Sequence, residues 1–376
     1  MSRRQSTVAT IHLGALRANF AVAQEHAEGR ELIAVVKADA YGHGAVPSAR
    51  ALADAGCRRF AVANVAEGAE LRDAAVGEAL LVLGGVSDVD EADAVVGLGL
   101  TPVVHHGDHV AWLADAARRG PGVLGVQVEV DTGMRRMGVP SGEAVALLES
   151  ISREPALALE GVYTHLAWGD EPDLAPTLGQ LGEFRRVVES AAERGVELGL
   201  IHVAHSAGLL AGKAVADALP EAAAVRPGLM LYGVRPAPHL EANLRPVMTL
   251  RTRVAHVRRV EAGDSVGYSG TFRATAATRV ATLAIGYADG VPVASSNRGS
   301  VLLRGQRRPI VGRVSMDFIG VDVGDVPVEI GDEAILFGEG QGTRLPVEEA
   351  AAAADTISYE LLVRVGSRVR RVFTDD

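Results

Sequence analysis

Lys37 ends the apolar run that begins at Leu32 in LIAVVKADAYGHG, and Tyr41, Gly42, His43 and Gly44 follow close behind. Taken alone, a lysine there is a solvated strand terminus. A desolvated amine beside a Gly-rich turn is also what an aldehyde cofactor needs, since the neutral amine is the nucleophile. VEVDTGMRRMG sets Asp131, Arg135 and Arg136 around Gly133 and Gly138. Guanidinium groups there suit a carboxylate or phenolate oxygen, and an exposed basic loop explains them equally well. GVYTH ends on His165, and IHVAHS brings His202, His205 and Ser206. One buried histidine is more often a hydrogen-bonded core residue than a catalyst, but histidines at two strand ends facing one mouth point to a site. AVRPGLMLYG carries Arg226 in an apolar strand, where an unpartnered charge is costly, and Gly228 where a backbone amide can meet phosphate.

These residues close a series of short β-type runs: LIAVVK, FAVA, LLVLGG, TPVVHH, LGVQVEV, GVYTH, LIHVAH and AVRPGLMLYG. Ala-rich helical stretches separate them, and such alternation predicts a parallel (β/α)8 barrel over residues 1–240. Barrel enzymes carry their chemistry at the C-terminal strand ends, where these side chains fall. After about Leu240 the texture changes to β-branched stretches between Gly, Asp and Pro turns, which predicts a mostly-β domain over 241–376. The first few residues are expected to pack with that second domain.

The formal charge of −10 comes without any long basic run, which argues against nucleic acid as a partner. Cys57 is the only cysteine, so neither an intrachain disulfide nor a cysteine-based zinc site can form, and a reducing cytoplasm is expected. No metal-ligand cluster stands out, and no metal is expected. The start lacks an apolar run ahead of a cleavage site, and the longest mostly apolar run, 94–104, contains Gly and Pro; no membrane span is expected.

Together the motifs resemble one family. AVVKADAYGHG resembles the pyridoxal-phosphate lysine motif of alanine racemases almost residue for residue. The likeness continues in order through DTGMRRMG, THLAWGD, VRPGLMLYG, VGYSGTF, IGYADG, GRVSMD and DTISYE, covering nearly the whole chain. The resemblance implies an N-terminal barrel holding pyridoxal 5′-phosphate (PLP) and a C-terminal β domain laid against the barrel of a second subunit. It makes Lys37 the Schiff-base lysine and one catalytic base, and Tyr268 of the partner subunit the other. Tyr41, Ser206, Gly228 and Tyr359 would hold the phosphate, with His205 beside them. Arg226 would face the pyridine nitrogen, and Arg136 the cofactor oxygen and substrate carboxylate. Met316 would offer a backbone amide to that carboxylate, His165 would hydrogen-bond Tyr268, and Tyr287 and Asp170 would line the approach. The implied activity is interconversion of L- and D-alanine by two bases in a cytoplasmic homodimer. The alternatives are racemisation of another small amino acid, a fold-type III decarboxylase or aldolase, and a single-domain PLP-homeostasis binder.

The chain departs from the family at three positions near the substrate. Glu129 stands where a lysine, often carbamylated, is common, and it is expected to brace Arg136 directly without carbon dioxide. His205 replaces the usual asparagine before Ser206. Val293 replaces an arginine common at the mouth, making the approach less basic. Ser315 in place of a frequent cysteine is a minor change.

Overall fold

Strands covered on both faces read as consecutive apolar residues, and each of the eight runs forms a parallel strand. They are Glu31–Val35, Arg59–Val62, Ala79–Val82, Thr101–Val104, Leu124–Asp131, Leu157–Thr164, Leu200–His205 and Ala224–Arg226. Each pairs with the next, and the eighth returns to the first through Ala224↔Glu31 and Val225↔Leu32, closing the barrel. The computed structural model describes residues 6–340 and 342–376. Phe60, Val103, Val128 and Val162 are fully buried in the strands, each burial stabilising by about 1.5–3 kcal/mol. Helices cross between strands, and their starts are capped where the sequence allows: Asn64 and Asp88 accept backbone N–H groups of Glu67 and Glu91.

The C-terminal half is built on a second, mainly antiparallel sheet. Its long strand Met248–Val260 pairs with Thr278–Leu283 and Glu333–Gly340, and also with Val8–His12 near the start of the chain. Val8–His12 pairs in addition with the final strand, Arg370–Thr374, in parallel. Of the first few residues expected to pack there, 1–5 lie outside the described residues. The chain thus passes from this sheet through the helix Leu13–Ala27 into the barrel.

The same half is fastened to the loop that follows Lys37. A Cβ on Gly42 would lie 2.5 Å from the Leu362 carbonyl oxygen, so glycine permits the helix Ser358–Val363 to rest on that loop. Arg371 donates to the Gly42 carbonyl at 3.2 and 3.1 Å. Tyr359 is thereby held at the barrel mouth. No helix among the described residues is long and apolar enough to cross a membrane.

Candidate active site

Behind Lys37 the backbone turns left-handed. Ala38, Asp39, Ala40 and Tyr41 all have φ between 52° and 54°, a conformation costing roughly 1–2 kcal/mol per non-glycine residue. Such a turn persists only if its surroundings fix it. Glu67 Oε1 accepts the Ala38 N–H at 2.9 Å while Oε2 accepts that of Ala63 at 2.7 Å. Asp39 Oδ1 accepts the Ala45 N–H at 2.7 Å. His43 Nδ1 donates to the Ala40 and Tyr41 carbonyls, both at 2.9 Å. The turn is clamped, and it returns Tyr41 to the cavity that Lys37 lines.

That cavity, about 560 Å³, opens at the C-terminal ends of the barrel strands and is lined by Lys37, Arg136, His165, Ser206, Arg226 and Tyr359, among others. Lys37 is held below its ordinary pKa, first by burial and then by the Arg136 charge, with Glu67 and Glu129 pulling the other way. Its amine is neutral at a lower pH than that of a solvated lysine. Arg226 is buried but not unpartnered. Nη1 donates to His202 Nδ1 at 2.7 Å and Nη2 to the Thr164 carbonyl at 2.9 Å, and the guanidinium lies 4.3 Å from the centre of the Tyr163 ring. His202 Nε2 in turn donates to Gln127 Oε1 at 2.7 Å.

The remaining wall offers neutral donors. Ser206 Oγ accepts the Gly228 and Met230 amides at 2.9 and 3.2 Å, leaving its own O–H to point elsewhere. A Cβ on Gly228 would come within 2.5 Å of Tyr41 Oη, so only glycine leaves this cradle open. Burial raises the Tyr41 phenol well above its ordinary range, and burial with the nearby Asp170 pushes Tyr359 up to about 12. Both keep their protons as donors. Hydroxyls and a backbone amide at one end, an amine and two guanidinium groups nearby, fit a phosphorylated aldehyde such as PLP.

The family models described as the N-terminal and C-terminal domains of alanine racemase match residues 11–236 and 247–373. The alanine racemase of Syntrophobacter fumaroxidans is 41% identical over 362 residues, 95% of this chain and 94% of that one. Among solved structures, alanine racemase from D-cycloserine-producing Streptomyces lavendulae superposes with a TM-score of 0.92 at 34% identity, covering 99% and 98% of the two chains. The Bartonella henselae alanine racemase, described with covalently bound pyridoxal phosphate, gives 0.88 at 31% identity, covering 98% and 100%. The chain belongs to the alanine racemase family.

Of the residues expected from the family's C-terminal domain, Tyr359 lines the cavity of its own chain, whereas Tyr268, Met316 and Tyr287 do not. Tyr268 is 70% exposed and lines a separate hollow of about 700 Å³ with Arg313, Ser315 and Phe318. Met316 and Tyr287 are also exposed and adjoin each other, the Met316 carbonyl accepting the Ala288 N–H at 3.1 Å. Val293 is exposed as well. Asp170 lines the cavity at its rim.

One expectation is corrected. Glu129 forms no ion pair with Arg136 among the described residues: its Oε2 accepts from Tyr163 Oη at 2.9 Å and lies 3.4 Å from His105 Nε2. The carboxylate turns to the buried Tyr163 phenol instead of crossing to the exposed guanidinium. His205 lines the cavity and spends both ring nitrogens on backbone: Nε2 donates to the Leu166 carbonyl and Nδ1 accepts the Ala207 N–H, both at 3.1 Å. It caps the turn that carries Ser206 and packs 5.1 Å from the His165 ring. Burial holds both imidazoles below their ordinary range. Sequence reasoning gave no role to Gln127, Tyr163 or His105. Gln127 and Glu129 at alternate positions of an apolar strand were the available signal, since such residues share one face.

Proposed function

We propose that this chain interconverts L- and D-alanine with PLP bound at Lys37, in a homodimer whose sites each take residues from both subunits. The observation that carries the reading is the meeting of Lys37, Arg136 and Arg226 in one cavity beside the neutral cradle of Tyr41, Ser206 and Gly228. When bound, PLP withdraws electrons from the α-carbon of an amino acid joined to it, making the α-hydrogen acidic.

Tyr41, Ser206, Gly228 and Tyr359 hold the phosphate, and His205 fixes Ser206 from behind. Arg136 binds the substrate carboxylate with help from the backbone amide of Met316 of the partner subunit. Lys37 Nζ takes the α-proton from one face, and Oη of Tyr268 of the partner subunit delivers one to the other; the reverse order serves the other enantiomer. His165 hydrogen-bonds that phenol. Arg226, a fixed positive charge with no proton to pass, would face the pyridine nitrogen. Asp170 and Tyr287 line the approach. A cytoplasmic location belongs to the same reading, because the buried, unpaired Cys57 suits a reducing compartment.

The test is incubation of the holoenzyme in deuterium oxide with single-enantiomer amino acids, followed by chiral chromatography and mass spectrometry. Alanine is expected to gain one deuterium and lose its optical purity without loss of carbon dioxide. Decarboxylation, retention of configuration, or inertness toward alanine overturns the reading.

A further inference from the structure

The seventh barrel strand, Leu200–His205, bulges just before it ends. Val203 pairs with Val225 and His205 with Arg226, so Ala204 is skipped; its φ of 58° is a left-handed conformation that alanine keeps only where its surroundings fix it. The bulge re-aims His205 toward the segment that follows the sixth strand, Leu157–Thr164. Residues 165–167 have left the sheet there, and side chains take over their backbone groups. Gln180 donates to the His165 carbonyl at 3.2 Å and accepts the Ala167 N–H at 2.8 Å, while His205 donates to the Leu166 carbonyl between them. Two glycines allow so close an approach. A Cβ on Gly208, in the helix Ser206–Leu210, would lie 2.8 Å from Leu166 Cδ1. A Cβ on Gly169 would lie 2.9 Å from His205 Cε1 and 3.2 Å from its Nε2, with the Gly208 nitrogen next at 3.4 Å. Gly169 is outside the left-handed region, so its backbone does not call for glycine; the imidazole does.

We propose that His205 and Gly169 are a matched pair of positioning residues, locking the segment that carries His165 and Asp170 against the turn that aims the Ser206 hydroxyl, so that the grip on phosphate depends on the absence of a side chain at position 169. The inference rests on the reading of Ser206 as a phosphate ligand. Both ring nitrogens of His205 are engaged, so the imidazole cannot swing aside from a methyl group without releasing the Ala207 N–H or the Leu166 carbonyl. The first of these bonds caps the turn at Ser206. Asparagine at position 205 has an acceptor on the same branch as Nδ1 and lacks the atoms Cε1 and Nε2. It therefore keeps the cap and vacates the space that a methyl group on residue 169 would fill.

The experiment titrates the apoproteins with PLP and with pyridoxal, which lacks the phosphate, and follows binding by fluorescence. Gly169→Ala is expected to raise the Kd for PLP about tenfold and that for pyridoxal less than about twofold, because only PLP reaches Ser206. Adding His205→Asn to Gly169→Ala restores the preference for PLP to within about twofold of the parent's. A Gly169→Ala protein with the parent's preference, or a loss that His205→Asn does not reverse, overturns the pair. An equal loss for both aldehydes marks a general disturbance of the cavity and overturns it as well. Ser206→Ala separates the underlying reading: a preference unchanged by it overturns Ser206 as a phosphate ligand, whereas a preference that falls there but is indifferent to Gly169→Ala overturns the pair alone. Should Gly169→Ala not fold, the double variant decides. A folded double variant with the parent's preference bears out the pair, and one that does not fold or has lost the preference overturns it.

Discussion

Arg226 Nη1 lies 2.7 Å from His202 Nδ1, which fixes the protonation of a fully buried histidine. A guanidinium only donates, so Nδ1 must be the acceptor and the proton must sit on Nε2, where Gln127 Oε1 accepts it. The neutral imidazole satisfies both neighbours. Burial and the Arg226 charge hold its pKa well below the ordinary histidine range, in agreement with that arrangement. A fixed positive charge is thereby held on the cavity floor by partners that carry no counter-charge themselves.

Gln127→Glu is expected to undo this arrangement. A carboxylate beside Nε2 favours the imidazolium, which places a proton on Nδ1 and turns two donors against each other. Losing a buried charge-assisted bond costs about 1.5–3 kcal/mol, which is roughly tenfold to a hundredfold in kcat/KM. Proton NMR should show the His202 pKa rising. A variant with the parent's rate and histidine titration contradicts the assignment.

Gly228→Ala should cost cofactor affinity without unfolding the chain. The added methyl meets Tyr41 Oη at 2.5 Å, and the Tyr41 ring is backed by Tyr232 at 4.8 Å, leaving it little room to withdraw. Displacing one hydroxyl and the amide geometry is worth about 1.4 kcal/mol or more, a tenfold or larger rise in Kd. Fluorescence titration of the apoprotein with PLP measures it, with circular dichroism checking the fold.

Lys37 should react with acylating reagents at a lower pH than a solvated lysine does. Its amine is held below the ordinary 10.5 by burial first and by Arg136 second. A lowered pKa means a larger neutral fraction at any pH beneath it, so the labelling midpoint lies below that of a solvated lysine. Arg136→Met removes one lowering charge and moves the midpoint upward. Competitive labelling of the apoprotein, read by mass spectrometry, checks both directions. A midpoint unmoved by Arg136→Met contradicts the electrostatic cause.

The barrel was legible because eight short apolar runs alternate with Ala-rich helical stretches, and each run became a strand. Arg226 could be singled out because a charge set into an apolar strand needs a partner, and Lys37 because a Gly-rich turn follows it at the end of its run. What the sequence does not display is how that partner is supplied. The Arg226–His202–Gln127 relay joins three different strands, and nothing in Leu124–Asp131 taken alone says which strand Gln127 faces. The left-handed turn after Lys37 was hidden because Ala38, Asp39 and Ala40 have no intrinsic preference for it; Glu67, from a later helix, imposes it. Glu129 was placed wrongly because the resemblance suggested the arginine that its family counterpart braces, while the unforeseen burial of Tyr163 set a phenol 2.9 Å from its Oε2.

Tyr268 and Lys37 lie in different hollows of one chain, and the proposed homodimer brings them into one site. Lys37→Ala lacks the amine and Tyr268→Phe lacks the phenolic oxygen, so each homodimer is expected to fall at least roughly a hundredfold below the parent, on the scale of general-base losses. If each site combines Lys37 from one subunit with Tyr268 from the other, a heterodimer of the two variants has one intact site and one doubly defective site. Random exchange makes about half of all dimers mixed, so about a quarter of the sites recover. Equal amounts of the two proteins, exchanged under mild denaturant and returned to buffer with PLP, should therefore regain about a quarter of the parent's activity. If both groups came from the same chain, mixing would restore none. Mass spectrometry of the intact dimers establishes that exchange has occurred, and exchange without recovered activity overturns the shared site.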